Sequence, residues 1–280
     1  MDTFAGENYA NPTRAAEGTA PAQGQGQYSI WQIVGIWLAG GAPLWIFSWA
    51  VFPLLSHNRP AADAALLRFH LLTVGLAWQF ALALLIIYRE EGNLRFETVR
   101  RRVWLQNPVS PKNGRVNHRL WFLVIPLIVL VAAIQMGLAP FLNDLWITVF
   151  PFFAEPPGYE MSHLFTPELR SQWIGAWGLL AAFAVNAVFN TFLGEEFLFR
   201  GVLLPKMNGV FGRWDWVVNG ILFGLYHLHK PWGILTSICT GLVYAFTGKQ
   251  FNSNWFPIIL HSGQSIYFIV LILGLVLGLA

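Results

Sequence analysis

Two adjacent carboxylates and an arginine stand in the middle of an apolar run, within Leu193-Gly194-Glu195-Glu196-Phe197-Leu198-Phe199-Arg200-Gly201. From about Trp173 to Leu204 nothing else carries a charge. An ionisable side chain at mid-bilayer costs about 2.5–3.5 kcal/mol on insertion scales, so those that persist there are paired or functional. Glu196 and Arg200 lie at i and i+4 and neutralise each other on one helix face. Glu195 falls on a different face and has no local partner. An unpaired carboxylate in an apolar setting is suited to act as a base near neutral pH.

The other ionisable groups in the apolar C-terminal half are His227, His229 and His261. The turn after the glutamate helix centres near Phe211, with Glu195 sixteen positions before it and His227 sixteen after it. At about 1.5 Å rise per residue, equal separations on an antiparallel pair mean equal depth. Glu195 and His227 are therefore expected to face each other. His261 lies about nine positions past the turn near Asn252, which predicts a shallower level. Phe223 and His227, like His261 and Ser265, are i,i+4 neighbours. His229, two residues from His227 and at the helix end, is expected to be interfacial and non-catalytic. A Glu and a His at one level can share and deprotonate a water, and a second His with a hydroxyl one turn away can donate to the oxyanion formed on a carbonyl. No serine or cysteine is placed as an evident nucleophile, so direct attack by water is expected. Glu195, His227 and His261 would also make a catalytic zinc set. The residues favour a metal-free reaction, because Glu196 is taken by Arg200 and no other carboxylate is left as base. No other cofactor is expected.

These groups must be held by membrane helices. The chain is 55% hydrophobic and 11% charged, against about 25% charged in ordinary soluble domains. A net charge of +3 gives no case for nucleic acid, and a single cysteine, Cys239, excludes an intrachain disulfide. Residues 1–27 read as a disordered tail, rich in Ala, Gly, Pro, Gln and Asn. Residues 28–280 read as one integral membrane domain. Its spans are placed at about Ser29–Leu55, Leu67–Tyr88, Leu120–Leu142, a helix from about Trp173 that carries the glutamates, Trp214–Leu228, Trp232–Phe246 and Trp255–Leu279. The expected fold is an all-α polytopic bundle of seven membrane helices, or eight with a re-entrant or interfacial piece at Trp146–Phe153. The segment Arg89–Arg119 holds eight of the 17 basic residues, which places it in the cytoplasm by the positive-inside rule. The N-terminus is then cytoplasmic. The expected setting is multi-pass in a cell membrane, that of a prokaryotic inner membrane.

The motifs resemble those of a known family. Glu195-Glu196-Phe197-Leu198-Phe199-Arg200 looks like EExxxR, Phe223-Gly224-Leu225-Tyr226-His227 looks like FxxxH, and His261-Ser262-Gly263-Gln264-Ser265 is similar to His-x-x-x-Asn/Asp. In this order they resemble the CPBP group of intramembrane proteases, also called the ABI or CAAX amino-terminal protease family, which includes the type II CAAX prenyl endopeptidases. The resemblance covers about residues 173–280. It implies an all-helical fold with the site inside the membrane, open toward the cytoplasm, and a peptide or membrane-protein substrate among membrane lipids. It implies that Glu195 and His227 activate water, that His261 and residue 265 form the oxyanion site, and that Glu196, Arg200 and Phe223 support them. Ser265 departs from the family's Asn or Asp. Prenyl-peptide cleavage itself is not carried over. A non-catalytic scaffold or immunity-type relative, and a proton-coupled transporter, are the alternatives.

Overall fold

A computed structural model describes residues 26–279. The tail read at residues 1–27 lies outside the described residues up to position 25. Among the described residues the chain is helical, with no strand and only isolated bridges at Val109–Val116 and Gly209–Gly212.

The helices in order are α1 (Ile30–Ser56), α2 (Ala61–Glu91), α3 (Phe96–Arg102), α4 (His118–Val149), α5 (Pro167–Trp173), α6 (Trp177–Met207), α7 (Asp215–Tyr226), α8 (Ile234–Phe251) and α9 (Trp255–Val276). Five of them, α1, α2, α4, α6 and α9, are long and apolar enough to cross a membrane. They match five of the expected spans. The other two expected spans correspond to α7 and α8, which fall short of that length or apolarity. Twelve helical residues in α7 reach about 18 Å, well under the ~30 Å hydrocarbon core. The helix ends at Tyr226, and the chain turns through His227–Gly233 into α8.

Two expectations need correction. The piece at Trp146–Phe153 is not separate, because α4 continues through Trp146 to Val149. Pro140 sits in the first turn after a π-helical segment, Ala133–Leu138, where its missing N–H does not interrupt the helix. The glutamate helix starts later than Trp173, since Gly175 adopts φ 76° and separates α5 from α6.

Backbone groups at depth need partners. The open C-terminal carbonyls of α7 and the turn after it find them on α1. Trp37 Nε1 donates to Leu222 at 2.7 Å, Trp45 Nε1 to Tyr226 at 2.8 Å, and Trp49 Nε1 to Leu228 at 2.7 Å. Ser48 Oγ donates to the His229 carbonyl at 2.8 Å. A helix that stops inside the protein is thereby satisfied by indoles rather than by water. Along α7, Gly220 and Gly224 allow close packing on α8: a Cβ on Gly224 would stand 2.8 Å from the Ile238 nitrogen, and one on Gly220 2.9 Å from the Leu242 nitrogen.

The basic loop is partly folded onto the bundle. Arg102 Nε pairs with Glu90 at 2.7 Å, its Nη1 donates to the Gly201 carbonyl at 3.1 Å, and its Nη2 to the Val202 carbonyl at 3.2 Å. Arg102 thus grips the end of the π-helical part of α6. Tyr28 seals this cluster through its hydroxyl, which donates to Glu90, and its backbone nitrogen, which donates to Lys206 at 3.0 Å. Burial pushes the Tyr28 phenol above its ordinary pKa range, against the pull of Arg102.

Candidate active site

All three charged motif residues of α6 lie in a π-helical stretch, Val188–Leu203. Hydrogen bonds there run from i to i+5, a geometry frequent at functional sites. The wider turn brings residues five apart toward one face, so Asn190 comes to the side of Glu195. Gly194 lets α2 approach this turn: a Cβ would meet the Phe189 carbonyl at 2.2 Å and the Leu76 carbonyl at 2.9 Å.

Glu196 and Arg200 are fully buried and pair at 3.2 Å. Arg200 also donates to the Gly241 carbonyl at 3.1 Å and lies 3.9 Å from the Phe223 ring centroid. It therefore ties α6 to α8 and α7. Glu196 has a second partner, His261, whose Nδ1 is 2.9 Å from Oε1. The far ring nitrogen of His261, Nε2, stands 3.7 Å from Glu195 Oε2. His261 is thus level with both glutamates, not shallower. The reason lies at the start of α9, where buried Asn254 donates through Nδ2 to the Glu196 carbonyl at 3.1 Å and so starts the helix deep in the bundle.

Glu195 is not without a partner. The hydroxyl of Tyr226, also fully buried, donates to Oε1, while Oε2 has no hydrogen bond. His227 Nδ1 is 2.8 Å from the Phe223 carbonyl one turn back, which fixes the ring and leaves Nε2 uncommitted. His229 is buried, with its ring stacked on His227 at 5.4 Å. It is a core residue, held by hydrogen bonds from Ser48 and Arg68 to its carbonyl, and not the interfacial residue that its place at a helix end predicted.

Two cavities meet at Glu195. One, of about 230 Å³, is lined by Glu195, His227, His261, Tyr244, Asn190 and Gln264, among others. The other, of about 210 Å³, is more apolar and is lined by Glu195, Asn190, Ser265, His229 and several apolar side chains. Ser265 is therefore on the second cavity, its Oγ 2.6 Å from Thr191 Oγ1. Among the described residues, no three His, Cys, Asp or Glu side chains converge as a metal site would require.

Three site residues were not singled out in the sequence. Tyr226 lies inside the Phe223–His227 motif and reads as core. Asn190 and Gln264 line both cavities. Each is an amide in an apolar run, which is the signal that could have found it.

Residues 173–267 match the family model described as type II CAAX prenyl endopeptidase Rce1-like. The match supports the CPBP, or CAAX protease, family. It spans all three motifs and stops short of the end of α9, and it leaves the N-terminal helices outside. Nothing among curated proteins or solved structures matches the chain. With its apolar helices, the chain is a CAAX protease-like membrane protein, and the family supports a membrane endopeptidase of this general type acting on peptide or protein substrates.

Proposed function

We propose that the chain is an intramembrane endopeptidase in which Glu195 and His227 activate a water molecule for attack on a peptide bond. The observation that carries this reading is the convergence of the buried side chains of Glu195, His227 and His261 on one cavity. In the proposed step Glu195 takes a proton from water as its oxygen attacks the carbonyl carbon. Uncommitted Nε2 of His227 accepts from the same water and orients it. The proton then passes from Glu195 to the leaving amide nitrogen, giving one new carboxyl group and one new amine.

The developing oxyanion needs donors. His261, its Nδ1 held by Glu196, faces the cavity through Nε2 and is proposed as one donor to the oxyanion. Ser265 is proposed as the second donor. If Thr191 donates in their mutual bond, the Ser265 proton is free. Asn190, with the longer reach of an amide, is an additional candidate on both cavities. Glu196, Arg200 and Phe223 position these groups. The reading needs no metal: Glu195 serves as the base, and the two histidine rings are oriented through Nδ1 by the Phe223 carbonyl and by Glu196.

The chain is further proposed to be multi-pass in a cell membrane, with residues 28–280 as one integral domain, and with the basic loop and the N-terminus cytoplasmic. The eight basic residues of Arg89–Arg119 support that orientation.

The test compares wild type with Glu195→Gln in liposomes carrying a reporter transmembrane peptide, with products identified by mass spectrometry. Loss of the base is expected to slow cleavage by about 10²–10⁴ while the protein still inserts and purifies. Equal rates remove Glu195 as the base. pH-driven flux with no cleavage by wild type supports the transporter, and binding without turnover supports the scaffold.

A further inference from the structure

Both cavities lie on one side of Glu195, and the basic segment lies on the other. That segment is tied to the ends of three helices. Arg102 pairs with Glu90 near the end of α2 and grips the Gly201 and Val202 carbonyls on α6. The Val109 nitrogen donates at 2.9 Å to the carbonyl of Phe251, the last residue of α8. So α2, α6 and α8 run toward the basic segment, while α4 and α9 run away from it. From Glu195 the cavity walls extend away from that segment, to Phe183 on α6, Arg68 on α2, Asn143 on α4, Thr236 on α8 and Phe268 on α9.

Exposure follows the same direction. On α8, Thr236 and Ser237 are half-buried, whereas Thr240 and Tyr244, nearer the basic segment, are buried. Asn143, Lys230 and Trp232 are half-buried as well, which puts the mouth of the histidine cavity at their level. Toward the basic segment the interior is closed: Phe199, Val202, Leu203 and Met207 of α6 and Asp215 and Asn219 of α7 are all 0% exposed. The short reach of α7 explains the asymmetry. A full span would fill the space beyond His227, but α7 stops at Tyr226 and leaves that space to the cavity.

We propose that the site is served from the extracytoplasmic face, and that its substrate is a peptide segment in the outer half of the bilayer. The proposal rests on the protease reading and on the cytoplasmic placement of the basic segment, which holds eight of the 17 basic residues. It departs from the cytoplasmic opening that the resemblance implied. A segment must be unwound to be cut, and its freed backbone groups need partners at that depth. Asn143 and Thr236, joined at 2.7 Å across the mouth, and Ser237 beside them supply such partners. An exported or membrane-spanning chain can present such a segment; one confined to the cytoplasm cannot.

The experiment reads which face reaches the cavity. In the full-length chain the single cysteine is removed by Cys239→Ser, and either Ser237→Cys or, as a marker of the basic segment, Lys112→Cys is introduced. Right-side-out and inverted membrane vesicles are treated with a membrane-impermeant maleimide. Ser237→Cys is expected to label in right-side-out vesicles and not in inverted ones, and Lys112→Cys the reverse. Cleavage by the unaltered chain is read second, with a quenched peptide that cannot cross the membrane, supplied to each face in turn. Labelling of Ser237→Cys from the cytoplasmic face, or from neither face, overturns outer access. Cleavage confined to the cytoplasmic face also overturns it and leaves the protease reading standing. Labelling from the outer face with no cleavage on either face upholds outer access and overturns the protease reading. If Ser237→Cys does not fold, Asn143→Cys on the facing α4 wall gives the same reading.

Discussion

The hydroxyl of Tyr226 donates to Oε1 of Glu195 in the interior of the bundle, joining α7 to α6. One carboxylate oxygen is thereby fixed, and Oε2 is left to face His261 and the cavity. Tyr226→Phe keeps the ring contacts with Phe199 and His227, at 4.9 and 4.3 Å, and removes only the donor. The expected result is a fall of about tenfold in kcat with little change in KM, in line with a hydrogen bond to a charged group. An unchanged kcat in steady-state kinetics would mean that Glu195 is positioned by the backbone alone.

Glu196 joins Arg200 and His261 in a buried hydrogen-bonded chain, so single substitutions strand a partner. Glu196→Ala and Arg200→Ala are each expected to lower stability by about 3–5 kcal/mol, and the double variant by less than their sum. Glu196→Ala should also release His261 and reduce cleavage. Chemical denaturation of the four proteins in a double-mutant cycle measures the coupling, and strict additivity would argue against the pair.

Ser265 shares a hydroxyl contact with Thr191 on the apolar cavity that meets the histidine cavity at Glu195. As an oxyanion donor it should be worth about 10²–10³ in kcat, so Ser265→Ala is expected to lower kcat by that order and to leave KM nearly unchanged. Ser265→Asn should retain or raise activity through the longer reach of the amide. A Ser265→Ala protein as fast as wild type would reduce position 265 to packing and pass the role to Asn190, which Asn190→Ala then tests.

Metal content offers a separate check. The purified protein is expected to hold far less than about one zinc per chain by elemental analysis, and a chelator should leave cleavage intact. Stoichiometric zinc, with activity lost on stripping and restored on addition, would reverse the proposed chemistry.

The sequence made part of this site legible. The Glu196–Arg200 pair follows from i,i+4 spacing, and the anchoring of His227 on the turn of Phe223 follows from the same rule. Other features depend on where elements dock. His261 reaches the glutamates because Asn254 starts α9 on the Glu196 carbonyl, a contact 58 residues apart in the chain. Tyr226 is an aromatic in an apolar helix, and nothing local distinguishes a core phenol from one that holds a carboxylate. The α-helical count hid Asn190, because five residues separate it from Glu195 and the π-helical turn changes which residues share a face. Arg102 reads as one more cytoplasmic charge, although it is buried on the carbonyls of Gly201 and Val202. The five long spans were legible from apolarity alone, and the short reach of α7 was legible in part, since the expected span stops at Leu228, before His229 and Lys230.

The π-helical stretch also changes how this segment tolerates gain or loss of a residue. Removing one residue between Asn190 and Glu195 would leave the two four apart, on one face at α-helical spacing, but would change the hydrogen-bond pattern of the turns that carry Glu196 and Arg200, although composition and apolarity stay the same. Deletion scanning should therefore find α6 sharply intolerant across Val188–Leu203, at apolar positions as well as charged ones, where substitution scanning would find many of the same positions permissive.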